Sequence, residues 1–251
     1  MRRSTTHPRA YKTRAIVMRG RQLGEADRIL TLLTTERGKL DAVAKGVRRA
    51  GSHLAGRLEF ANECELSMHR GRSLDVVVSA DILNALWTQL VRPDRFGVAS
   101  LAIELVDAFC EPDLAVPDIY ALLAGTLRAI AYSDDPRSVI PRFSLRLLDM
   151  LGLGPPPDDC VRCGSALGSA VAYIDSAAGG FIDDGCRERW RDLPAVTDGE
   201  RENFRAVGAE RGAGATMRAM PVIARAIDEL MTHHLGRRPK AGVQLAELAA
   251  E

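Results

Sequence analysis

The chain divides by the period of its apolar positions. Between residues 10 and 80 they fall in short segments: Ala15-Ile16-Val17-Met18, Ile29-Leu30-Thr31-Leu32-Leu33, Leu40-Asp41-Ala42-Val43-Ala44, Cys64-Glu65-Leu66-Ser67-Met68 and Leu74-Asp75-Val76-Val77-Val78. Partial period-2 alternation with β-branched members predicts five strands. The intervals carry Arg37-Gly38-Lys39, Lys45-Gly46-Val47-Arg48-Arg49 and Arg70-Gly71-Arg72. Glycine punctuates turns, so the flanking cations are expected to project from loop tips into water. The first strand is placed at residues 11–18, a polar loop at 20–27, and a hairpin around Thr35-Glu36-Arg37-Gly38. The loop at 45–53 shows no apolar anchor that would bury it.

From residue 81 the period changes. Ser100, Glu104, Asp107 and Glu111 recur at three and four in an otherwise apolar run, which predicts a helix over 96–110 buried on most of its circumference. Pro117 opens a second helix, through Tyr120, Leu123 and Leu127 to Tyr132. Asp135-Pro136 opens a third, with Pro141 in its first turns, and Gly152, Gly154 and Pro155-Pro156-Pro157 end it. On that third helix Arg142, Arg146 and Asp149 share a face expected to be exposed. Asp198 reads as the cap of a helix through Phe204 and Val207, and Pro221 opens another ending near Gly236. Residues 237–251 read as a frayed tail in which Leu245 and Leu248 permit one last turn.

This is an α+β multidomain pattern. A flexible basic arm (1–9) precedes a five-stranded OB-type β-barrel (10–81). An α-helical domain (82–251) follows, with a zinc-ribbon-like insertion whose Cys-rich knuckle spans 158–190. A five-stranded SH3-like barrel would share the strand pattern. Apolar residues at 46% and charged ones at 27% suit a soluble globular chain of 251 residues. No apolar run reaches membrane-spanning length, and the start, Met1-Arg2-Arg3-Ser4-Thr5-Thr6-His7-Pro8, lacks the apolar core of a signal peptide. Five cysteines, three of them clustered, fit a reducing cytoplasm.

Charge changes the picture. Residues 1–80 hold 16 Lys and Arg against 8 Asp and Glu, while residues 81–251 hold 18 against 25, so the net charge of +1 conceals a basic β-domain beside an acidic remainder. A polyanion-binding module on a scaffold fits this division, and ordinary solvated loops are the bland reading. The phosphate contacts predicted are Lys39, Lys45, Arg48, Arg49, Arg70 and Arg72, with Arg14 and Arg57 as second choices. Aromatic residues are scarce, with Tyr11 and Phe60 in this domain and Phe60 assigned to the core. Binding is therefore expected to be mostly electrostatic, salt-dependent and weakly sequence-specific.

The Cys160-Val161-Arg162-Cys163-Gly164 turn, followed by Cys186, has the spacing of half a zinc knuckle plus one thiol. Arg189 stands where a second Cys-x-x-Cys would end. Asp183, Asp184, Asp158, Asp159 or a water could complete the set, or the ribbon could hold its shape by packing alone. Cys64 and Cys110 lie in apolar patterns and are assigned to the core.

Taken together, several blocks resemble the bacterial recombination mediator family RecO: Leu23-Gly24-Glu25-Ala26-Asp27-Arg28-Ile29-Leu30-Thr31-Leu32-Leu33, Gly38-Lys39-Leu40, Ala44-Lys45-Gly46-Val47-Arg48-Arg49, and Phe143-Ser144-Leu145-Arg146-Leu147-Leu148 followed by Gly152 and the Cys160/Cys163 pair. The resemblance implies an N-terminal OB-fold, a helical C-terminal domain and, in many members, a Cys₄ zinc knuckle. It implies binding of single- and double-stranded DNA and annealing of complementary strands. It also implies help, with RecR, in loading RecA onto strands coated by single-strand-binding protein. The acidic, hydrophobic tail of that protein would meet the helical domain, with Arg142 or Arg146 as capturing groups. The implied mechanism is not enzymatic. Rival readings are an RNA-directed OB protein and a zinc-dependent hydrolase, though no acid/base pair, phosphate-cradling loop or nucleophile elbow accompanies the cysteines.

Overall fold

The first strand, β1 (Ala10–Leu23), is longer than its apolar core. In the computed structural model, which describes residues 9–188, 190–208 and 221–247, the stretch read as a polar loop at 20–27 is strand as far as Leu23. The register shifts between Val17 and Arg19. Residues 10–16 of β1 pair with β4 (Glu63–His69) and residues 15–23 pair with β2 (Asp27–Thr34), so the two ladders overlap just before the bulge. A β-bulge bends its strand, so one segment can serve two sheet directions. Arg19, Gly20, Arg21 and Gln22 carry no alternation, because the ladder to β2 rather than side-chain burial holds them extended.

The remaining strands are β3 (Gly38–Ala44) and β5 (Asp75–Asn84), and the five close into a barrel in the order β1-β2-β3-β5-β4. The contact of β3 with β5 is parallel and every other pairing is antiparallel. This is the five-stranded OB-like barrel expected, and the hairpin at 35–37 is where it was predicted. Strand β3 alternates strictly, with Leu40, Ala42 and Ala44 inside, and Leu66, Met68 and Val77 complete the interior. Cys64 belongs to the same core.

The loop at 45–53 is anchored after all. Val47 is buried in the barrel core, and Leu54 and Leu58 follow it there. A lone valine between Gly46 and Arg48 has no periodicity to betray its burial. Asn62, also buried, ties the end of this loop down: its amide donates to the carbonyls of Gly56 and Arg57, and its Oδ1 accepts from the Trp87 N–H.

Two compact units divide the chain, Met1–Ser133 and Asp134–Glu251. The first holds the barrel and helices α1 (Trp87–Leu90), α2 (Pro93–Phe109) and α3 (Pro117–Tyr132). Prolines open α2 and α3, where their missing N–H costs nothing. Cys110 is buried just past α2. Phe60 packs against Trp87 and Phe96, ring centroids 6.3 and 5.3 Å away, as half-buried packing rather than an open stacking platform. Tyr120 donates to Glu63 at 2.8 Å, joining α3 to the barrel.

The second unit begins with a 3₁₀ turn (Pro136–Ser138) and α4 (Val139–Met150), so Pro141 falls harmlessly in the first turn of α4. Gly152, with φ of 71°, ends it, and the Leu153 N–H returns to the Leu148 carbonyl at 2.8 Å. A three-stranded sheet follows, β6 (Ala172–Asp175), β7 (Gly180–Ile182) and β8 (Ala195–Val196), in the order β7-β6-β8. Helix α5 (Asp198–Gly208) is capped by Thr197, not by Asp198: the Glu200 N–H donates to the Thr197 hydroxyl, and the Thr197 N–H donates to the Glu200 carboxylate. After α6 (Pro221–Leu235), the segment read as a frayed tail forms a further helix, α7 (Lys240–Glu247), whose Ala241 is buried. Most of the predicted basic arm, residues 1–8, together with Arg189 and Leu248, lies outside the described residues.

Candidate nucleic-acid interface and metal cluster

At the entrance to β2 the backbone holds two turns together. The Gly46 N–H donates to the Asp27 carboxylate at 2.7 Å, and the Arg48 N–H donates to the Ala26 carbonyl at 3.0 Å. Gly46 adopts φ of 63°, a conformation that suits glycine. Buried Val47 then leaves Lys45, Arg48 and Arg49 on the exposed side. One Arg48 Nη1 donates to the Glu25 carbonyl at 3.1 Å, which orients the guanidinium without neutralising it. Arg57 lies further along the same loop, half-buried, donating to the His53 carbonyl. Among the described residues no carboxylate forms an ion pair with Lys45, Arg48, Arg49 or Arg57.

Arg70 and Arg72 form a second group. Their turn joins β4 to β5, and the Arg70 N–H donates to the Arg9 carbonyl at 2.7 Å. The Arg70 guanidinium lies 5.5 Å from the Tyr11 ring centroid. The Tyr11 hydroxyl donates to Asp75, which also accepts from Arg37. Burial and the Asp75 carboxylate push the Tyr11 hydroxyl up to about 12. The parallel register of Ala42 with Asp75 sets the two groups apart, since Arg72 precedes Asp75 while Lys45 follows Ala42. They flank opposite ends of the paired stretch of β3 and β5, residues 42–44 against 75–77. Arg14 is exposed on β1, opposite Glu65.

Arg37 and Lys39 do not project into water as expected. Lys39 is only 17% exposed and sits 3.3 Å from the Asp107 carboxylate, which also pairs with Arg19 at 3.1 Å. Arg37 pairs with Asp75 and Asp113. The acids involved lie about 40 to 90 positions away in sequence, so no local pattern announces these pairings. They border a cavity of about 370 Å³ on the β2–β3 face.

In the second unit the three clustered cysteines do come together, and Asp183 joins them. Ligand atoms of Cys160, Cys163, Asp183 and Cys186 all lie within 4.8 Å of one another. The Cys160 N–H donates to the Ser165 carbonyl, the Gly164 N–H donates to the Cys160 carbonyl at 2.8 Å, and the Val161 N–H pins the turn to Phe181 of β7. Burial alone would raise the Cys160 thiol, but the backbone amides of Asp183, Cys163 and Arg162 outweigh it and hold the pKa below the ordinary thiol value. Asp183 is held low by hydrogen bonding from Cys163 and from the Cys186 N–H. Three thiols and one carboxylate in a tight set fit the donor chemistry of zinc. Beneath them Asp175, with no exposed side-chain surface, binds Arg162 and Arg191 at 2.8 Å each.

Comparison with known proteins now decides the family. Residues 9–86 match the family described as Recombination protein O N terminal, and residues 91–241 match Recombination protein O C terminal. A relative from Dehalococcoides mccartyi, DNA repair protein RecO, is 31% identical over 189 residues, covering 75% of each chain. This chain belongs to the RecO family. The RecO match spans both units and includes every candidate cation and the Cys/Asp cluster. No helix among the described residues is long and apolar enough to cross a membrane. On α4 the RecO-matching segment places Arg142 and Arg146 half-buried, with Asp149 exposed beyond them.

Proposed function

We propose that this chain is a recombination mediator that binds single- and double-stranded DNA and anneals complementary strands. With RecR it would help load RecA onto strands coated by single-strand-binding protein, in the cytoplasm and close to the nucleoid. The observation that carries the reading is the Lys45, Arg48 and Arg49 group, fixed by backbone hydrogen bonds and left without carboxylate partners among the described residues. A cation held in place but not neutralised keeps its full charge for phosphate. Annealing is opposed by repulsion between two polyanions. Cations on two separate parts of one barrel can screen two strands at once, and the Arg70 and Arg72 turn supplies the second part. Lys39 ranks below these because Asp107 already engages it.

The metal would be structural. Cys160, Cys163, Asp183 and Cys186 make four protein donors, and a catalytic zinc site keeps one position open for water, so the donor set disfavours a hydrolase. Zinc, when bound, would cross-link the knuckle to the β6–β7 ribbon. The test of the main reading is a gel shift and an annealing assay on the Arg48→Glu, Arg49→Glu variant. Binding should weaken at least tenfold and the salt slope should fall by about 1.4, two phosphate contacts at about 0.7 each on single strands. Unchanged affinity would discard the assignment. A clear preference for RNA strands over DNA would favour the RNA-directed alternative.

A further inference from the structure

We propose that residues 107–113 act as a built-in competitor for phosphate, their carboxylates holding the cations of one barrel face that nucleic acid gains only by displacing them. This rests on the DNA-binding reading above and concerns how that surface is regulated.

The segment is docked by its backbone. The Asp113 N–H donates to the Lys39 carbonyl at 2.8 Å, and Pro112 forms a bridge with Lys39. Gly38, at φ of 63°, permits the approach, because a Cβ there would lie 1.7 Å from the Leu114 carbonyl oxygen. The side chains have a separate role. Asp107 faces Arg19 and Lys39, and Asp113 faces Arg37. The cavity beside them is lined by Arg19, Thr31, Arg37 and Lys39 from the barrel and by Pro112 and Asp113 from the segment.

A purely structural lock would be buried. Here the Arg19 side chain is 65% exposed and Asp113 is 60% exposed, and Lys39, only 17% exposed, lines the cavity beside them, so an incoming polyanion meets Arg19 first and reaches Lys39 through that opening. Half-exposed ion pairs are weak in water, whereas an arginine fork on phosphate is among the stronger polar contacts. Arg37 is also held by Asp75, so Arg19 and Lys39 are the cations that phosphate recovers.

The experiment is the salt dependence of binding of a labelled oligothymidylate by the full chain and by its Asp107→Asn, Asp113→Asn variant. The amides keep the shape of the carboxylates and leave the backbone contacts in place. Asp113 has φ of 57°, a conformation asparagine accepts readily. The variant should bind about tenfold tighter at low salt, with a slope steeper by about 1.4 for two recovered phosphate contacts. Adding Arg19→Gln and Lys39→Gln should abolish both gains. Wild-type affinity and slope in the folded variant would overturn the inference, as would a gain that survives loss of Arg19 and Lys39. If the double variant does not fold, Asp107→Asn alone should still bind about tenfold tighter, because Asp107 is the carboxylate that holds Arg19 and Lys39, and no gain there overturns the inference equally. An unmodified chain that binds no DNA would instead sink the underlying reading, and this one with it.

Discussion

Asp175 shows how much one buried carboxylate can hold. Burial alone would raise its pKa, but hydrogen bonds from Arg191 and Arg162 more than compensate and keep it below the usual carboxylate value. Asp75, with Tyr11 and Arg37 as partners, is depressed for the same reason. A depressed folded pKa gives stability that is complete above the unfolded value of about 3.9 and lost as pH falls through the folded one. Replacing Asp175 by Asn should therefore destabilise the second unit by about 3 kcal/mol near neutral pH, since two guanidiniums lose their shared partner. Urea unfolding followed by a probe in that unit should show the difference from wild type shrinking progressively below about pH 4, as the unfolded carboxylate takes up its proton, and vanishing only once the pH has fallen through the depressed folded value. A difference independent of pH would mean that packing, not charge, carries the effect. None of this was legible from sequence. Asp175 lies 13 residues from one arginine and 16 from the other, and only the ribbon fold turns all three inward.

At the scale of elements, the Cys/Asp cluster was half readable. The Cys160-x-x-Cys163 turn declares itself by spacing, and Cys186 follows at a plausible distance. Asp183 was one of several acids near enough in sequence to serve, and the choice among them is made by the β6–β7 ribbon, which sets Asp183 beside Cys163 at 3.0 Å. Zinc content measured by plasma spectrometry should approach one per chain, and Cys160→Ser should lose the metal together with amide-exchange protection of the ribbon. Replacing Asp183 by Cys should make zinc harder to strip with a chelator, because a thiolate is the softer ligand. A chain that holds no metal in either form would leave packing as the ribbon's sole support. Strand β1 teaches a similar lesson: its arginines and Gly20 look like a loop, yet β2 offers them a ladder.

For the whole molecule, charge division was the most informative statistic and also the most easily over-read. The excess of cations before residue 81 is real, but Arg19, Arg37 and Lys39 are engaged by Asp107 and Asp113 within the same unit. The cations we assign to phosphate first are those on the 45–49 loop and the 70–72 turn, which are exposed and form two groups. In the second unit, Arg142 and Arg146 on α4 are the groups we assign to an acidic partner tail. Titration of a labelled acidic tail peptide from single-strand-binding protein should lose at least fivefold in affinity when both are changed to Ala, with DNA binding unchanged; equal affinities would remove that contact.

By itself the sequence determined what depends on nearest neighbours and period. Short apolar segments with partial alternation mark five strands, prolines open helices, glycines close them, and two thiols meet on one turn. Tertiary structure alone decided which charges are spent internally and which remain for a ligand. An ion pair is made by proximity in space, and Lys39 and Asp107 stand 68 residues apart along the chain.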